Sequence, residues 1–313
     1  MSKKTFASLL TASALAPAVA YFVGNKFYNL CVNPESDKTE IFNAPHNFIN
    51  REIFDINVGD KYEKTPKEDM YTTAFDGLRL HAKILYNNPD SNKWCILCHG
   101  YGGVSVVIHK AALKFKELGY NLLIPDLRGF GETKCSYIGW GWHDRLDVGS
   151  WVEALLKINS KIDIILYGIS MGAATVMAAS GEVMPDNVKV VVEDSGYSSL
   201  WDEFLYQYRL IYKAPYFPIL NLASVTSKLR AKYSFKEVNI ANQVAKSKIP
   251  TLFIHGDKDT FVPTKMVYDL YDISNAKKEK LIIEGARHVE ALITNEKLYW
   301  DCVKSFIENS IQR

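Results

Sequence analysis

The hydrophobic positions of this chain change their spacing at regular intervals from residue 68 onward. A polar Asp76-Gly77 pair separates two alternating segments, 70–75 and 78–86, which predicts a β-hairpin. Compact apolar runs, typical of strands buried on both faces, then recur at 94–98, 121–125, 162–167, 188–193, 251–255 and 280–283. Segments with helical spacing lie between them, at 104–118, 144–158, 171–179, 265–272 and 296–311. This alternation predicts an α/β fold, with a mainly parallel twisted β-sheet flanked by helices.

One interval, residues 198–248, does not follow this alternation. It is about fifty residues long and lies between two predicted strands. Its aromatic side chains include Trp201, Phe204, Tyr206, Tyr208, Tyr212, Tyr216 and Phe217. A plain connection is shorter and less aromatic. We therefore predict a helical cap insertion here, within a domain that spans 68–313.

The amino terminus has the pattern of a targeting or anchoring segment. Lys3 and Lys4 precede an apolar stretch at 6–23, which is about long enough to cross a bilayer at roughly 20 residues. Ala18-Val19-Ala20 fits a cleavage site, but the apolar run continues beyond it and favours retention. We predict that residues 1–25 form a signal or membrane anchor.

This interpretation extends to the location of the protein. Residues 26–67 are predicted to be a tether, with a helical lead-in near 48–58. If the amino-terminal lysines stay inside, the catalytic domain lies outside the cytoplasm, attached to the membrane or secreted. The alternative is an amphipathic first helix that packs on the domain.

Charge and cysteine content exclude several classes of partner. Lys and Arg number 37 and Asp and Glu 35, a net charge of +2, which argues against nucleic acid because phosphate binding needs a clustered basic excess. Five cysteines cannot all pair within one chain. Cys95 and Cys98 lie three residues apart in one predicted strand and therefore point to opposite faces. They cannot share a metal ion, and we predict no metal site.

The residues Gly168-Ile169-Ser170-Met171-Gly172 directly follow a predicted strand and open an alanine-rich helix. They match the G-x-S-x-G motif in the strand–turn–helix setting that it requires. Such a turn holds the serine in a strained conformation, so the residues two before and two after it must be small. The sequence therefore predicts a serine nucleophile, Ser170.

A serine hydroxyl becomes a good nucleophile only when a nearby base accepts its proton and an acid orients that base. Asp259 follows one predicted strand and His288 follows the last one, which gives the order serine, acid, histidine. Both lie beyond the carboxyl ends of strands, where sites of open α/β sheets form. Asp194 and Asp257 are competing candidates for the acid.

Several motifs together make the chain resemble a serine hydrolase of the α/β-hydrolase superfamily, related to membrane-anchored or secreted bacterial esterases and serine peptidases. The likeness extends over about residues 69–311. The motifs that carry it lie at 99–103, 126–131, 168–172, 255–263 and 285–288. The resemblance implies that the backbone N–H groups of Tyr101 and Met171 form an oxyanion hole, with His99 supporting the first loop. It also implies that no metal or organic cofactor is needed.

The expected activity is hydrolysis of a carboxylic ester through an acyl-enzyme, as in carboxylesterases and lipases. The aromatic cap favours a small-molecule ester with an apolar acyl or aromatic group. Thioester and peptide hydrolysis use the same triad and remain open. A non-catalytic cell-surface binding module on the same fold is the alternative from another class.

Overall fold

The computed structural model describes residues 19–42 and 56–311 of the 313-residue chain. Within these residues one sheet has eight strands: β1 Glu68–Thr73, β2 Arg79–Leu85, β3 Lys93–Cys98, β4 Asn121–Pro125, β5 Asp163–Ile169, β6 Val188–Asp194, β7 Thr251–Gly256 and β8 Lys278–Ile283. Their order is β1-β2-β4-β3-β5-β6-β7-β8. The pairs β1–β2 and β2–β4 are antiparallel and the others are parallel. The mainly parallel sheet predicted from the sequence is confirmed.

Helices cover both faces of this sheet. The first, α1, spans 19–31. The others are α2 Thr39–Phe42, α3 Ile56–Glu63, α4 Val106–Glu117, α5 Asp144–Ile158, α6 Met171–Ser180, α7 Leu200–Tyr212, α8 Ile219–Arg230, α9 Ile240–Val244, α10 Lys265–Ile273, α11 Ala291–Thr294 and α12 Glu296–Ile311. Helices α4 and α12 pack on one face, and α5, α6 and α10 on the other. Cys95 and Cys98 are both fully buried, in the cores on opposite faces, which confirms that they cannot share a metal ion.

The interval between β6 and β7 contains helices α7, α8 and α9. Helix α7 begins after Ser199, whose side chain accepts a hydrogen bond from the backbone N–H of Asp202 and so caps the helix. Phe204 of α7 and Leu220 of α8 are buried in one core with Ala174 and Met177 of α6. These helices therefore share a core with the middle of α6, and their role as a cap stays a prediction.

Helix α1 packs against this helical interval. Tyr28 and Val32 are buried, and a Cβ atom at Gly24 would lie only 3.0 Å from the carbonyl oxygen of Leu222 in α8. The guanidinium of Arg230 lies 4.4 Å from the centre of the Tyr28 ring. The carboxyl-terminal part of α1 thus packs on the protein, which removes Tyr28 from water, whereas Val19, Tyr21 and Phe22 near its amino-terminal end are exposed.

The predicted location, with the catalytic domain attached to the membrane outside the cytoplasm or secreted, is wrong. Across residues 19–42 and 56–311, every helix is too short or too polar to span a bilayer. Residues 26–31, assigned to a tether, belong to α1; of the predicted lead-in helix near 48–58, residues 56–58 lie in α3 and residues 48–55 lie outside the described part of the chain. Residues 1–18 of the predicted anchor lie outside the described part of the chain.

A buried ion cluster holds the loop after β4 next to the sheet. The side chain of Arg128 is 1% exposed and donates to Asp147 at 2.7 and 2.8 Å and to Asp76 at 2.6 and 3.0 Å. It also donates to the hydroxyl of Tyr137 at 2.9 Å. Burial raises the pKa of Asp147 to about 6, and the hydrogen bonds and charge of Arg128 oppose this rise. The cluster joins the β1–β2 turn, the loop after β4 and helix α5.

We expect Arg128→Met to lower the free energy of unfolding by about 3–5 kcal/mol, because it leaves Asp147 buried without its counterion. Urea denaturation followed by circular dichroism measures this loss. Lys297→Met, at the exposed Lys297–Asp301 pair, is the control and should shift the urea midpoint little. Equal small effects of the two substitutions would contradict a structural role for the cluster.

Candidate active site

The turn between β5 and α6 presents Ser170 in a strained conformation. Ser170 has φ 55° and ψ −117°, a backbone state that residues other than glycine seldom adopt. A Cβ atom at Gly168 would lie 2.2 Å from the carbonyl oxygen of Gly172, and one at Gly172 would lie 2.0 Å from that of Cys98. The turn therefore tolerates only glycine at these two positions, as the motif predicts.

Three side chains that are distant in sequence meet at this turn. The Ser170 hydroxyl lies 2.9 Å from Nε2 of His288, and Nδ1 of His288 lies 2.8 Å from Oδ2 of Asp259. Ser170, Asp259 and His288 are 8%, 6% and 7% exposed. An ionised carboxylate only accepts hydrogen bonds, so Nδ1–H donates to Asp259 and Nε2 accepts from the serine. The structure thus joins the three predicted residues in one hydrogen-bonded series.

The carboxylate of Asp259 accepts hydrogen bonds from three nitrogens and lies next to a second histidine, His255, whose Nε2 is also 3.0 Å from the Val262 carbonyl oxygen. Its Oδ1 accepts the backbone N–H groups of Phe261 at 2.9 Å and Val262 at 2.8 Å. Its Oδ2 faces His288 and also Nε2 of His255 at 3.1 Å. Burial alone raises the pKa of Asp259, but the two histidines outweigh burial and hold that pKa well below its usual range. Asp259 therefore stays ionised beside the imidazole of His288.

The two competing acids have other partners. Asp194 accepts hydrogen bonds from the hydroxyls of Ser195 at 2.9 Å and Tyr299 at 3.0 Å. Asp257 accepts the backbone N–H of Gly285 at 2.6 Å and pairs with Lys258 at 3.0 Å. Of the three carboxylates, Asp259 is therefore the one that contacts the imidazole.

The two predicted oxyanion residues lie on either side of Ser170. Met171 is the first residue of α6, so its N–H is among those that the helix itself leaves without an acceptor. The loop that carries Tyr101 passes beside the serine, since a Cβ atom at Gly100 would lie 3.4 Å from Cβ of Ser170. His99 braces this loop: Nδ1 donates to the Gly100 carbonyl at 2.7 Å, and Nε2 accepts the N–H of Leu127 at 3.1 Å.

Two cavities open onto Ser170, and we call them the inner cavity and the outer groove. The inner cavity lies under α7 and α8 and has almost entirely apolar walls. Its lining includes Leu30, Cys31, Trp140, Glu203, Phe204 and Leu220. The outer groove runs between the loop after β3 and the loop after β8. Its lining includes Val104, Val107, His109, His288 and Val289.

Some of these residues carry no motif. Leu30, Cys31 and Trp140 are apolar side chains with the same signature as core residues, so a sequence pattern does not single them out. The contact between His255 and Asp259 was also not predicted, although the spacing of four residues across a turn places the two side chains within reach. Trp140 and Val289 have positive φ values of 50° and 57°, so strained backbone accompanies both cavities.

Asp69, His81 and Glu132 have potential metal-binding atoms within 4.8 Å of one another. Those atoms already have partners in the protein. His81 contacts Asp69 at 2.8 Å and Asp126 at 2.7 Å, Lys83 pairs with Asp69, and the hydroxyl of Tyr71 donates to Glu132 at 3.0 Å. A hydrogen-bonded network explains this cluster without a metal ion.

Comparison with known proteins relates this arrangement to one fold. A family model described as alpha/beta hydrolase fold matches residues 93–216. The chain is 28% identical over 221 residues to the uncharacterized protein YqkD of Bacillus subtilis, covering 70% of this chain and 72% of that protein. It is also 28% identical over 248 residues to Lipase 1 of Psychrobacter immobilis, covering 66% and 75%. An esterase structure from Pyrococcus furiosus superposes with a TM-score of 0.66 at 22% identity, over 81% of this chain and 94% of the esterase.

We expect Gly172→Ala to lower the free energy of unfolding by about 3 kcal/mol or more, because the added methyl group meets backbone that cannot move aside easily. Gly149→Ala in α5 is the matched control. Its Cβ atom meets nothing within 4 Å, and we expect it to stabilise the protein by about 0.5–1 kcal/mol. Urea denaturation of both variants checks the pair, and similar midpoints would refute the steric argument.

Proposed function

We propose that this chain, which has the α/β-hydrolase fold and belongs to that superfamily, hydrolyses carboxylic esters with Ser170 as nucleophile. The observation that carries the proposal is the series Ser170–His288–Asp259, with contacts of 2.9 and 2.8 Å. In this proposal His288 is the general base and acid, and Asp259 orients it. The residues of the site perform this chemistry with no metal or organic cofactor.

The reaction has two halves. In the first, the Ser170 oxygen attacks the ester carbonyl carbon while its proton passes to Nε2 of His288, and the backbone N–H groups of Tyr101 and Met171 bind the oxyanion. The bond to the alcohol then breaks, and His288 gives its proton to the departing oxygen. In the second half, water attacks the acyl group on Ser170 and loses a proton to His288. The carboxylic acid leaves, and the proton returns to Ser170.

The environment of Asp259 suits these proton transfers between Ser170, His288 and the substrate. When His288 becomes an imidazolium, the ionised carboxylate stabilises the positive charge without taking the proton, because the pKa of Asp259 is held well below its usual range. The hydrogen bonds from Phe261 and Val262 fix the direction of the carboxylate. The imidazole consequently keeps the tautomer that leaves Nε2 free to accept the serine proton.

Two observations support an ester as the substrate. The inner cavity next to Ser170 has apolar walls, which suit a neutral acyl group. Lipase 1 of Psychrobacter immobilis, to which this chain is 28% identical, is named as a lipase. Thioester or peptide hydrolysis with the same residues, and a binding role without catalysis, are outcomes that the following experiments separate.

A fluorophosphonate probe tests the nucleophile. We expect the parent protein to be labelled and Ser170→Ala to lose all labelling, because the probe reacts only with an activated serine. Ser195→Ala, another buried serine at positive φ, is the matched control and should still be labelled. A folded parent that is not labelled would support the non-catalytic binding module instead.

Substitution of each candidate acid tests the orienting role. We expect Asp259→Asn to lower kcat on a nitrophenyl ester by on the order of 10⁴-fold, because an amide stabilises the wrong imidazole tautomer. Asp257→Asn, two residues away and hydrogen-bonded elsewhere, should retain kcat within a few-fold. A larger loss in Asp194→Asn than in Asp259→Asn would reassign the acid.

The class of bond is tested on a single preparation of the protein. Nitrophenyl acyl esters are compared with aminoacyl anilides and with acyl thioesters by their kcat/KM values. We expect the esters to react fastest because the inner cavity offers apolar contacts to an acyl chain. Faster turnover of the anilides or the thioesters would replace the ester in this proposal.

A further inference from the structure

The two cavities at Ser170 share three lining residues, and only one of the two cavities is lined by His288. Tyr101, Ser170 and Phe261 line both cavities. His288 lines the outer groove but not the inner cavity. The Phe261 ring, which lines both cavities, stacks on the imidazole of His288 at 4.8 Å between ring centres. A substrate whose carbonyl sits at Ser170 therefore extends one arm into each cavity.

The position of His288 identifies the cavity that holds the leaving alcohol of the ester. During acylation the imidazolium must give its proton to the alcohol oxygen, so that oxygen must come within hydrogen-bond distance of Nε2. The space next to His288 is the outer groove. The other substituent of the carbonyl carbon, the acyl chain, is then directed toward the inner cavity.

We propose that the inner cavity binds the acyl chain, that the outer groove binds the alcohol, and that Leu30 and Cys31 of α1 form part of the acyl-binding wall. This inference rests on the proposed ester hydrolysis and adds to it which part of the substrate each surface recognises. It gives the amino-terminal helix a role in substrate selection. The helix precedes the first strand by more than thirty residues and contributes none of the proposed catalytic groups.

The carboxyl-terminal end of α1 is joined to the site by specific contacts. The carbonyl oxygen of Cys31 accepts a hydrogen bond from Nε1 of Trp140 at 2.9 Å, and that of Val32 accepts the N–H of Ile138 at 2.8 Å. The Trp140 ring in turn stacks on Tyr101 with 5.2 Å between ring centres. These contacts thus fix the position of the α1 residues relative to the loop that carries Tyr101, the proposed oxyanion donor.

The chemistry of the inner cavity indicates an uncharged acyl group. Its one acidic side chain, Glu203, is 3% exposed, and burial raises the pKa of this carboxyl well above its ordinary value. The nearby carboxylate of Asp259 raises the pKa further, and the Gln207 amide lowers it. Burial thus favours the neutral form of this carboxyl, and the surrounding wall is aromatic and aliphatic. An apolar chain meets no unpaired charge there.

Two substrate series and two cavity-filling variants test the inference. One series varies the acyl chain from acetyl to octanoyl with nitrophenol as the alcohol. The other keeps the acetyl group and varies the alcohol from methyl to octyl, with acid release followed by titration. The variants are Leu30→Trp, which fills the inner cavity, and Val104→Trp, which fills the outer groove.

We expect Leu30→Trp to lower the octanoyl-to-acetyl ratio of kcat/KM by about tenfold or more, as loss of room for one or two methylene groups does, with the alcohol series unchanged. Val104→Trp should change the alcohol series and leave the acyl ratio as in the parent. Leu30→Ala, which enlarges the inner cavity, should move the preferred acyl chain to a greater length. Val225→Trp, on the exposed face of α8, is the control and should change neither series.

The outcomes separate this inference from the proposed function. An active parent in which Leu30→Trp and Leu30→Ala leave the acyl series unchanged, or change the alcohol series instead, overturns the inference and leaves ester hydrolysis intact. A folded parent that turns over no ester in either series overturns the proposed function and the inference together. Fluorophosphonate labelling and circular dichroism of each variant show that altered ratios come from the cavity and not from loss of folding.

Discussion

The carboxylate of Asp259 is the group on which the arrangement of the site depends. It is buried, and a buried charge is stable only when hydrogen bonds and an opposing charge replace the water that it has lost. Two backbone N–H groups and two histidines do so. The backbone N–H groups bind Oδ1, and His255 lies beside Oδ2. The side of Oδ2 that is left faces Nδ1 of His288. The orientation of the imidazole, and hence its contact with Ser170, follows from how this one charge is accommodated.

The strained turn at Ser170 adds a steric constraint to this electrostatic one. The serine projects from the end of β5 because the backbones at Gly168, Gly172 and Cys98 approach more closely than any side chain would allow. Strain of this kind persists only where surrounding structure holds it. Here the strands on either side of β5, which are buried except at Lys93 of β3 and Lys189 of β6, provide that support. The rigid sheet thus carries the site, while the less regular segments above it form the cavities.

Helix α1 shows how much of the chain's packing is decided by distant segments. Tyr28 and the adjacent Val32, which the sequence pattern assigns to a tether, are buried against the protein, whereas Val19, Tyr21 and Phe22 of the apolar run are exposed. Composition measures only how favourable it is to leave water, and lipid and a protein core offer similar environments. Contacts with Trp140, Leu222 and Arg230 place residues 24–31 of α1 against the protein. These partners are more than one hundred residues away along the chain, beyond the reach of any local pattern.

The sequence by itself determined the order of strands and helices and the strand–turn–helix setting of Ser170, because buried strands and glycine-dependent turns impose local patterns. The sequence also predicted Asp259 and His288, but Asp194 and Asp257 remained alternative candidates for the acid. No sequence feature indicates in which direction a carboxylate at the end of a strand points. Tertiary structure decided which acid meets His288, where α1 packs, and which residues line the two cavities. Those outcomes depend on contacts between distant segments. The apolar residues of a cavity wall differ from core residues only in the empty space beside them.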